Sequence, residues 1–359
     1  MKSSPEVLAA QVLAWYRAEH RALPWRLTRD PYRIWVSEVM LQQTRVEAVI
    51  PHYETFLRRF PTLTALAQAS EEAVLASWAG LGYYRRARML HAASKRVVSG
   101  DDGEWPRSYS QMRALPGIGD YTAAAIASIA FDEPRPALDG NALRVLSRMA
   151  DERRDIRAAA TRCALGGAAK DLMDAVPRGS RGDFTQALIE LGAVVCVPRS
   201  PRCERCPWNA ACSGLAAGSA PHLPVKGARG VPRKVNLSLA LAVRDQRVLM
   251  RQRPSDASVM PGFWELPMAS GDASALCAVG FPSCVEGEEL GSFAHSITNT
   301  QYTVRVYLTK FEGSLRQDQR WVSVREMPGL PLSTISRKAL RVARDSGVST
   351  ACDGAAGAA

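Results

Sequence analysis

The chain has no apolar run approaching the roughly 20 residues that span a bilayer, which argues against a membrane protein. Its opening stretch, MKSSPEVLAAQVLAWYRAEH, alternates polar and apolar residues like an amphipathic helix and reads as neither a signal peptide nor an anchor. A disulfide framework is missing too. Of eight cysteines, Cys163, Cys277, Cys284 and Cys352 are scattered singly, which fits a reducing compartment. Acidic residues are the minority, 35 against 46 basic ones, and the net charge is +11. The arginines are spread along the chain, as on a surface that meets a polyanion, although charge alone does not separate nucleic acid from a membrane surface. Aromatics are only 7%, but 359 residues with 47% hydrophobic content suffice for about two or three domains with their own cores.

What is present centres on Leu115 to Asn141, LPGIGDYTAAAIASIAFDEPRPALDGN. Gly117 and Gly119 leave the backbone free to take positive φ, and the alanine-rich run Tyr121 to Ile129 can begin a helix at once. With helical character before it, in Ser108 to Leu115, the unit is helix, hairpin, helix, whose unpaired N–H groups suit a phosphate. An ordinary helix–helix turn is the competing reading. Asp139 suits a helix N-cap in the Asp-Gly turn, and a catalytic reading needs a second carboxylate.

Glu38 is the candidate for that partner. In IWVSEVMLQQTRVEAVI a helical stripe runs through Val36, Val39, Met40, Val46, Val49 and Ile50, and Pro51 is expected to open the next helix. Ser37 fits an N-cap there, with Glu38 as a first-turn acid. Trp35 and Leu41 flank Glu38 three residues either side, so its carboxyl faces apolar neighbours; desolvation favours the protonated form and suits a general acid. Farther on, Tyr83 and Tyr84 stand beside Arg85, Arg86 and Arg88, which fits base stacking beside phosphate contact or a helix end with solvated arginines. Cys196, Cys203, Cys206 and Cys212 are separated by six, two and five residues. Four thiolates so close can hold a tetrahedral metal or the corners of a cubane cluster, and spacing does not choose between zinc and iron–sulfur.

The period then changes. Residues 214–234 are rich in Gly, Pro and basic residues and read as a linker lying against the polyanion. Beyond it LSLALAV and RVLMRQRP flank an RDQ turn as a hairpin, FWELPM and QYTVRVYLTK read as strands, and Leu332 to Val342 as a helix. This is a small α+β domain, followed by a low-complexity tail at 347–359 expected to be disordered.

The segments LPWR, WVSEVMLQQTRV, GLGYYRRAR, LPGIGDYTAAAIASIAF, LDGN, ALIELGAVVC and the four-cysteine loop together carry a family resemblance. The first 220 or so residues resemble the helix-hairpin-helix DNA glycosylase superfamily, and the whole chain resembles its MutY-type adenine-excising members. The resemblance implies a mainly α glycosylase domain over 1–213, with a [4Fe–4S] cluster held by the four thiols of 196–212. It also implies a Nudix-like α+β domain over 235–346 that reads 8-oxoguanine. The substrate is then double-stranded DNA with adenine opposite 8-oxoguanine or guanine, bound by a monomer in the bacterial cytoplasm at the nucleoid.

By the same resemblance Gln43 and Tyr83 intrude into the base stack, and Thr44, Leu81, Gly117 and Gly119 contact DNA. Trp25, Arg26, Leu41 and Gln186 line an adenine pocket. Glu38 protonates the leaving base, Asp139 supports the sugar cation, and Tyr121 and Asn141 assist them. Relatives that also cut the strand have a lysine where this chain has Tyr121, so a monofunctional enzyme is expected rather than a glycosylase/lyase of the endonuclease III type. Phe293, His295 and Ser296 fall in a loop expected to meet 8-oxoguanine, where Ala294 replaces the usual serine. No run of carboxylates follows PGFWELP, which argues against a metal-dependent nucleotide hydrolase fused to a DNA-binding module. The presence of both Glu38 and Asp139 argues against a non-catalytic iron–sulfur DNA binder.

Overall fold

The computed structural model describes residues 3–348 apart from 101–102, 228–230, 255, 258–259, 282–287, 298, 324 and 328–329. The expected tail thus lies, from 349 onward, outside the described residues. The chain divides into two compact units, Met1–Ala228 and Arg229–Ala359. None of the described helices is long and apolar enough to cross a membrane.

The first unit is helical: α1 (Pro5–Glu19), α2 (Pro31–Leu41), α3 (Val46–Arg59), α4 (Leu63–Gln68), α5 (Glu71–Ser77), α6 (Arg85–Val98), α7 (Tyr109–Arg113), α8 (Asp120–Phe131), α9 (Gly140–Met149), α10 (Ala159–Asp174), α11 (Arg181–Val194) and the short α12 (Ser213–Ala216). It has two hydrophobic cores. One gathers α2 to α8 around Trp35, Phe56, Trp78 and the alanine face of α8. The other packs α1 against α9, α10 and α11, and Trp208 closes it by donating its indole N–H to the Leu8 carbonyl at 2.8 Å.

Several boundaries differ from the sequence reading. Asp30 caps α2 by accepting from the Tyr32 and Arg33 amides, so Ser37 lies inside the helix and donates to the Ile34 carbonyl. The apolar stripe does not run on unbroken, because the chain leaves the helix at Gln42 and turns left-handed at Gln43, φ 60°. Pro51 sits inside α3 rather than opening a helix; having no N–H, it removes one rung of that helix's ladder. The front of the expected linker folds onto this unit: Gly214, Ala220 and Leu223 are buried, and Val225 accepts from the Ile156 amide. Apolar residues spaced among the prolines outweigh the basic composition there.

Among the described residues the second unit is a seven-stranded sheet with one α-helix. Its strands are β1 (Arg233–Arg244), β2 (Arg247–Gln252), β3 (Trp264–Glu265), β4 (Met268–Ser270), β5 (Glu288–Ile297), β6 (Thr300–Thr309) and β7 (Gln319–Ser323), and the helix is α13 (Thr334–Asp345). The order is β3-β2-β1-β6-β5, with β4 on β1 and β7 on β2; β1 and β6 run parallel and the other pairs antiparallel. Asp245 and Gln246 both have positive φ, the turn that matches strand twist in a two-residue hairpin. Leu237, Leu239 and Leu241 on one face of β1 join the α13 side, while Ala240 and Ala242 join a smaller cluster with Phe281 and Phe311. A central strand buried on both faces explains its unbroken apolar run.

Candidate active site

Glu38 lies on α2 and is only 8% exposed. The Tyr121 hydroxyl, from the first turn of α8, donates to its Oε2 at 2.7 Å. Burial pushes the Glu38 carboxyl up to about 7, against the Tyr121 hydrogen bond and with the help of the neighbouring Asp139 charge. Tyr121 is itself raised well above the ordinary phenol range, first by burial and then by the two carboxylates, so it keeps its proton.

Asp139 caps α9. Its Oδ1 accepts from the Asn141 amide at 2.9 Å and the Ala142 amide at 2.7 Å, and its Oδ2 from the Asn141 side chain at 2.7 Å. Burial raises this carboxyl, but those donors oppose the shift and favour the ionised form. Capping and catalysis are therefore not rival roles for Asp139. Asn141 is held in turn: Arg144 donates at 2.8 Å to its Oδ1, to the Gly192 carbonyl and to the Cys196 carbonyl. A Cβ at Gly192 would lie 2.6 Å from Asn141 Cβ, so the missing side chain lets α11 seat directly on the start of α9.

The expected pocket residues are held unequally. Trp25 is buried edge-on against Tyr53, Leu41 is half-buried against the α2–α8 core, and Gln186 is buried on α11. Arg26 is near enough to lower Glu38, and its Nη2 donates to Glu190 at 2.7 Å. Burial raises the Glu190 carboxyl, but hydrogen bonds from Arg21 and Arg26 overrule that and hold it at about 2. Glu190 escaped the sequence reading; its signal was a lone acid in the apolar helix ALIELGAVV.

At the hairpin only Gly117 is left-handed, φ +75°, and a Cβ there would lie 2.5 Å from Met89 Cβ. Gly119 is extended and caps α8 without a side chain, so the expectation of positive φ at both glycines is corrected. A Cβ at Gly119 would meet nothing within 4 Å, so what it leaves is open space over the first turn of α8. Tyr121 also lines a cavity of about 490 Å³, together with Tyr109, Arg135, Leu138, Gly166 and Lys170.

Gln43 and Tyr83 both have left-handed backbones, φ 60° and 47°, and Tyr83 is 64% exposed. Thr44 lies beside Gln43, whereas the Leu81 side chain is buried in the core. Arg86, read from sequence as a phosphate contact or a solvated arginine, turns inward instead and donates to the carbonyls of Val39, Met40, Gln42, Leu81 and Gly82.

The four clustered thiols line one small cavity and form no disulfide. Burial, and behind it the neighbouring thiols, push Cys203, Cys206 and Cys212 up. Among the described residues no three ligand-type side chains stand close enough to hold a single metal ion. Arg148, itself buried, donates to Cys196 Sγ at 3.4 Å and to the Val197, Pro198 and Leu223 carbonyls. In the second unit Phe293, His295 and Ser296 fall on strand β5, not in a loop. Phe293 and His295 share the half-buried face, Lys338 donates to the Ala294 carbonyl at 3.3 Å, and burial with the Lys338 charge lowers His295.

Residues 36–165 match the model of the HhH-GPD superfamily of base excision DNA repair proteins, and residues 239–342 match a NUDIX domain. The adenine DNA glycosylase of Homo sapiens is 34% identical over 92% of this chain and 73% of its own length. That of Mus musculus is 33% identical over 94% of this chain and 78% of its own. Among solved structures, a thermostable thymine-DNA glycosylase superposes with a TM-score of 0.54 at 28% identity, over 59% of this chain and 97% of that one.

Proposed function

This chain belongs to the adenine DNA glycosylases of the helix-hairpin-helix superfamily, and on that premise we propose that it flips adenine out of a pair with 8-oxoguanine or guanine and hydrolyses its glycosidic bond. The observation that carries the reading is the division of labour between two neighbouring carboxyls. Glu38, at about 7, still holds a proton at neutral pH, while Asp139 has three N–H donors that favour its charge. Adenine leaves poorly until a ring nitrogen is protonated, and Glu38 supplies that proton. Asp139 stabilises the positive charge that develops on the sugar, so that water completes the hydrolysis. Arg26, fixed by Glu190, and Gln186 bound the space for the base. Tyr121 holds Glu38 in place, and its phenol cannot form the imine that a lysine forms with the sugar.

The uncapped start of α8 after Gly117 suits a backbone phosphate. Arg135, stacked 4.5 Å over Tyr109, and Lys170 on the wall of the adjoining cavity suit the next phosphates of the same strand. Replacing either by alanine should reduce the slope of log affinity against log salt by about one for a duplex carrying the mispair. Unchanged slopes in both variants would remove them from the interface.

The soft sulfur donors around one cavity fit the corners of a [4Fe–4S] cluster held by Cys196, Cys203, Cys206 and Cys212. When bound it supplies the iron–sulfur bonds that knit this irregular loop together. In the second unit the half-buried pair Phe293 and His295, with Ser296 exposed beside them, reads the oxidised base. Single-turnover incubation with a duplex holding one adenine opposite 8-oxoguanine, followed by alkali, should cleave the strand at that adenine. Without alkali the strand should stay whole, and borohydride should trap no adduct at lyase-like yield. Strand cleavage without alkali at the rate of base loss would contradict the monofunctional reading.

A further inference from the structure

Gln43 and Tyr83, which the proposed function sends into the base stack, stand on separate segments, and both hold backbone conformations that cost a non-glycine residue about 1 kcal/mol or more. Something else must keep them there. Arg86, in the first turn of α6, lies between the two segments. Its Nη1 donates to the carbonyls of Val39 at 2.8 Å, Met40 at 2.9 Å and Gln42 at 2.5 Å, at the end of α2. Its Nη2 donates to Thr44 Oγ1 at 3.2 Å and, across the gap, to the carbonyls of Leu81 at 3.1 Å and Gly82 at 3.3 Å. The guanidinium also lies over the rings of Trp78 and Tyr83, 5.5 and 5.6 Å from their centroids. All six acceptors are neutral oxygens, so these donors orient backbone instead of pairing charge.

We propose that Arg86 is a positioning residue that locks the Gln43 and Tyr83 segments into one rigid unit, so that both side chains enter a duplex together and in fixed register. Only a planar fork of donors serves both segments at once; the lysine ammonium, a single point with three donors, reaches one side. Both terminal nitrogens are taken up by these oxygens, while Nε is buried without a hydrogen-bond partner. The inference rests on the wedge roles of Gln43 and Tyr83.

The test is a double-mutant cycle on the full chain, with affinity measured for a duplex containing adenine opposite 8-oxoguanine and for an undamaged duplex. Arg86→Lys should lose about 10- to 100-fold on the mispair and less than about 2-fold on undamaged DNA, as expected when a misplaced group spoils a specific contact. In the Gln43→Ala/Tyr83→Ala background the same substitution should cost less than about 3-fold more, because coupled residues are not additive. Full additivity, or equal loss on both duplexes, would overturn the positioning role. If Arg86→Lys does not fold, Thr44→Val, which removes one acceptor isosterically, carries the same cycle with a smaller loss. Should Gln43→Ala/Tyr83→Ala leave the preference for the mispair intact, the wedge reading itself fails, and this proposal with it.

Discussion

Glu38→Gln should lower single-turnover adenine release by about 10²- to 10⁴-fold, the range for removing a general acid, and yet make the protein more stable at pH 8. The two effects share one cause. Burial raises the folded-state pKa of Glu38 to about 7, above the ordinary 4.5, so the folded chain keeps a proton that the unfolded chain has lost. Stability contributed by that proton is present below pH 4.5 and is lost as pH rises through about 7. At pH 8 the whole difference between 4.5 and about 7 counts against folding, on the order of 3 kcal/mol. Glutamine accepts the same hydrogen bond from Tyr121 and never ionises, so its advantage should grow across that window and level off above it. Chemical denaturation of both forms at pH 4.5, 6 and 8 measures this. A stability difference that ignores pH would mean that Glu38 does not hold its proton. In the unmodified enzyme the excision rate should fall as pH rises through about 7, where Glu38 loses the proton that the proposed mechanism has it donate.

Asp139→Asn separates the two jobs of that residue. Asparagine is as good an N-cap as aspartate, so α9 should keep its start, while its Nδ2 meets the Asn141 donor and the loss of that one hydrogen bond costs about 1 kcal/mol. The charge that the proposed mechanism sets against the sugar cation disappears, and excision should fall by about 10²- to 10³-fold. Asp139→Ala should lose excision to the same degree and a further ~1 kcal/mol of stability from the cap. Binding to the mispaired duplex should survive in the asparagine form. An asparagine enzyme within tenfold of the original rate, beside a dead alanine one, would make capping the whole contribution of Asp139.

How much of this was legible in the sequence depended on whether the signal was local. Alternation marked β1, β2 and β6, and the alanine run after the hairpin marked α8, because both patterns repeat within one element. The burial of Glu38 could be read from Trp35 and Leu41, one helical turn either side of it. Strand β5 could not be found in this way. A register shift between Glu289 and Gly291 breaks its alternation, and Gly291, Ser292 and Ala294 are poor strand formers, so Phe293 and His295 looked like loop residues. Arg86 was misread for a different reason: an arginine among arginines looks solvated, and its acceptors are backbone carbonyls up to 47 residues away, which composition does not encode. Glu190 needed Arg21 and Arg26, which lie 169 and 164 residues from it. The hairpin glycines were distinguishable only through Met89, whose side chain occupies the space over Gly117 and not over Gly119.

The closure of the second core by α1 and Trp208 also bears on how the protein is made. Helix α1, with Leu8, Val12 and Leu13 on its apolar side, is made well before the partners it packs against, which begin at residue 142 and end at the Trp208 indole on Leu8. At about 5–20 residues per second, some 200 residues take roughly 10–40 s to synthesise, far longer than a helix needs to form. For that interval α1 presents an unpartnered apolar stripe beside a growing chain. Synthesis therefore passes through a stage in which the α2–α8 core can already be complete while α1 still waits for its seat.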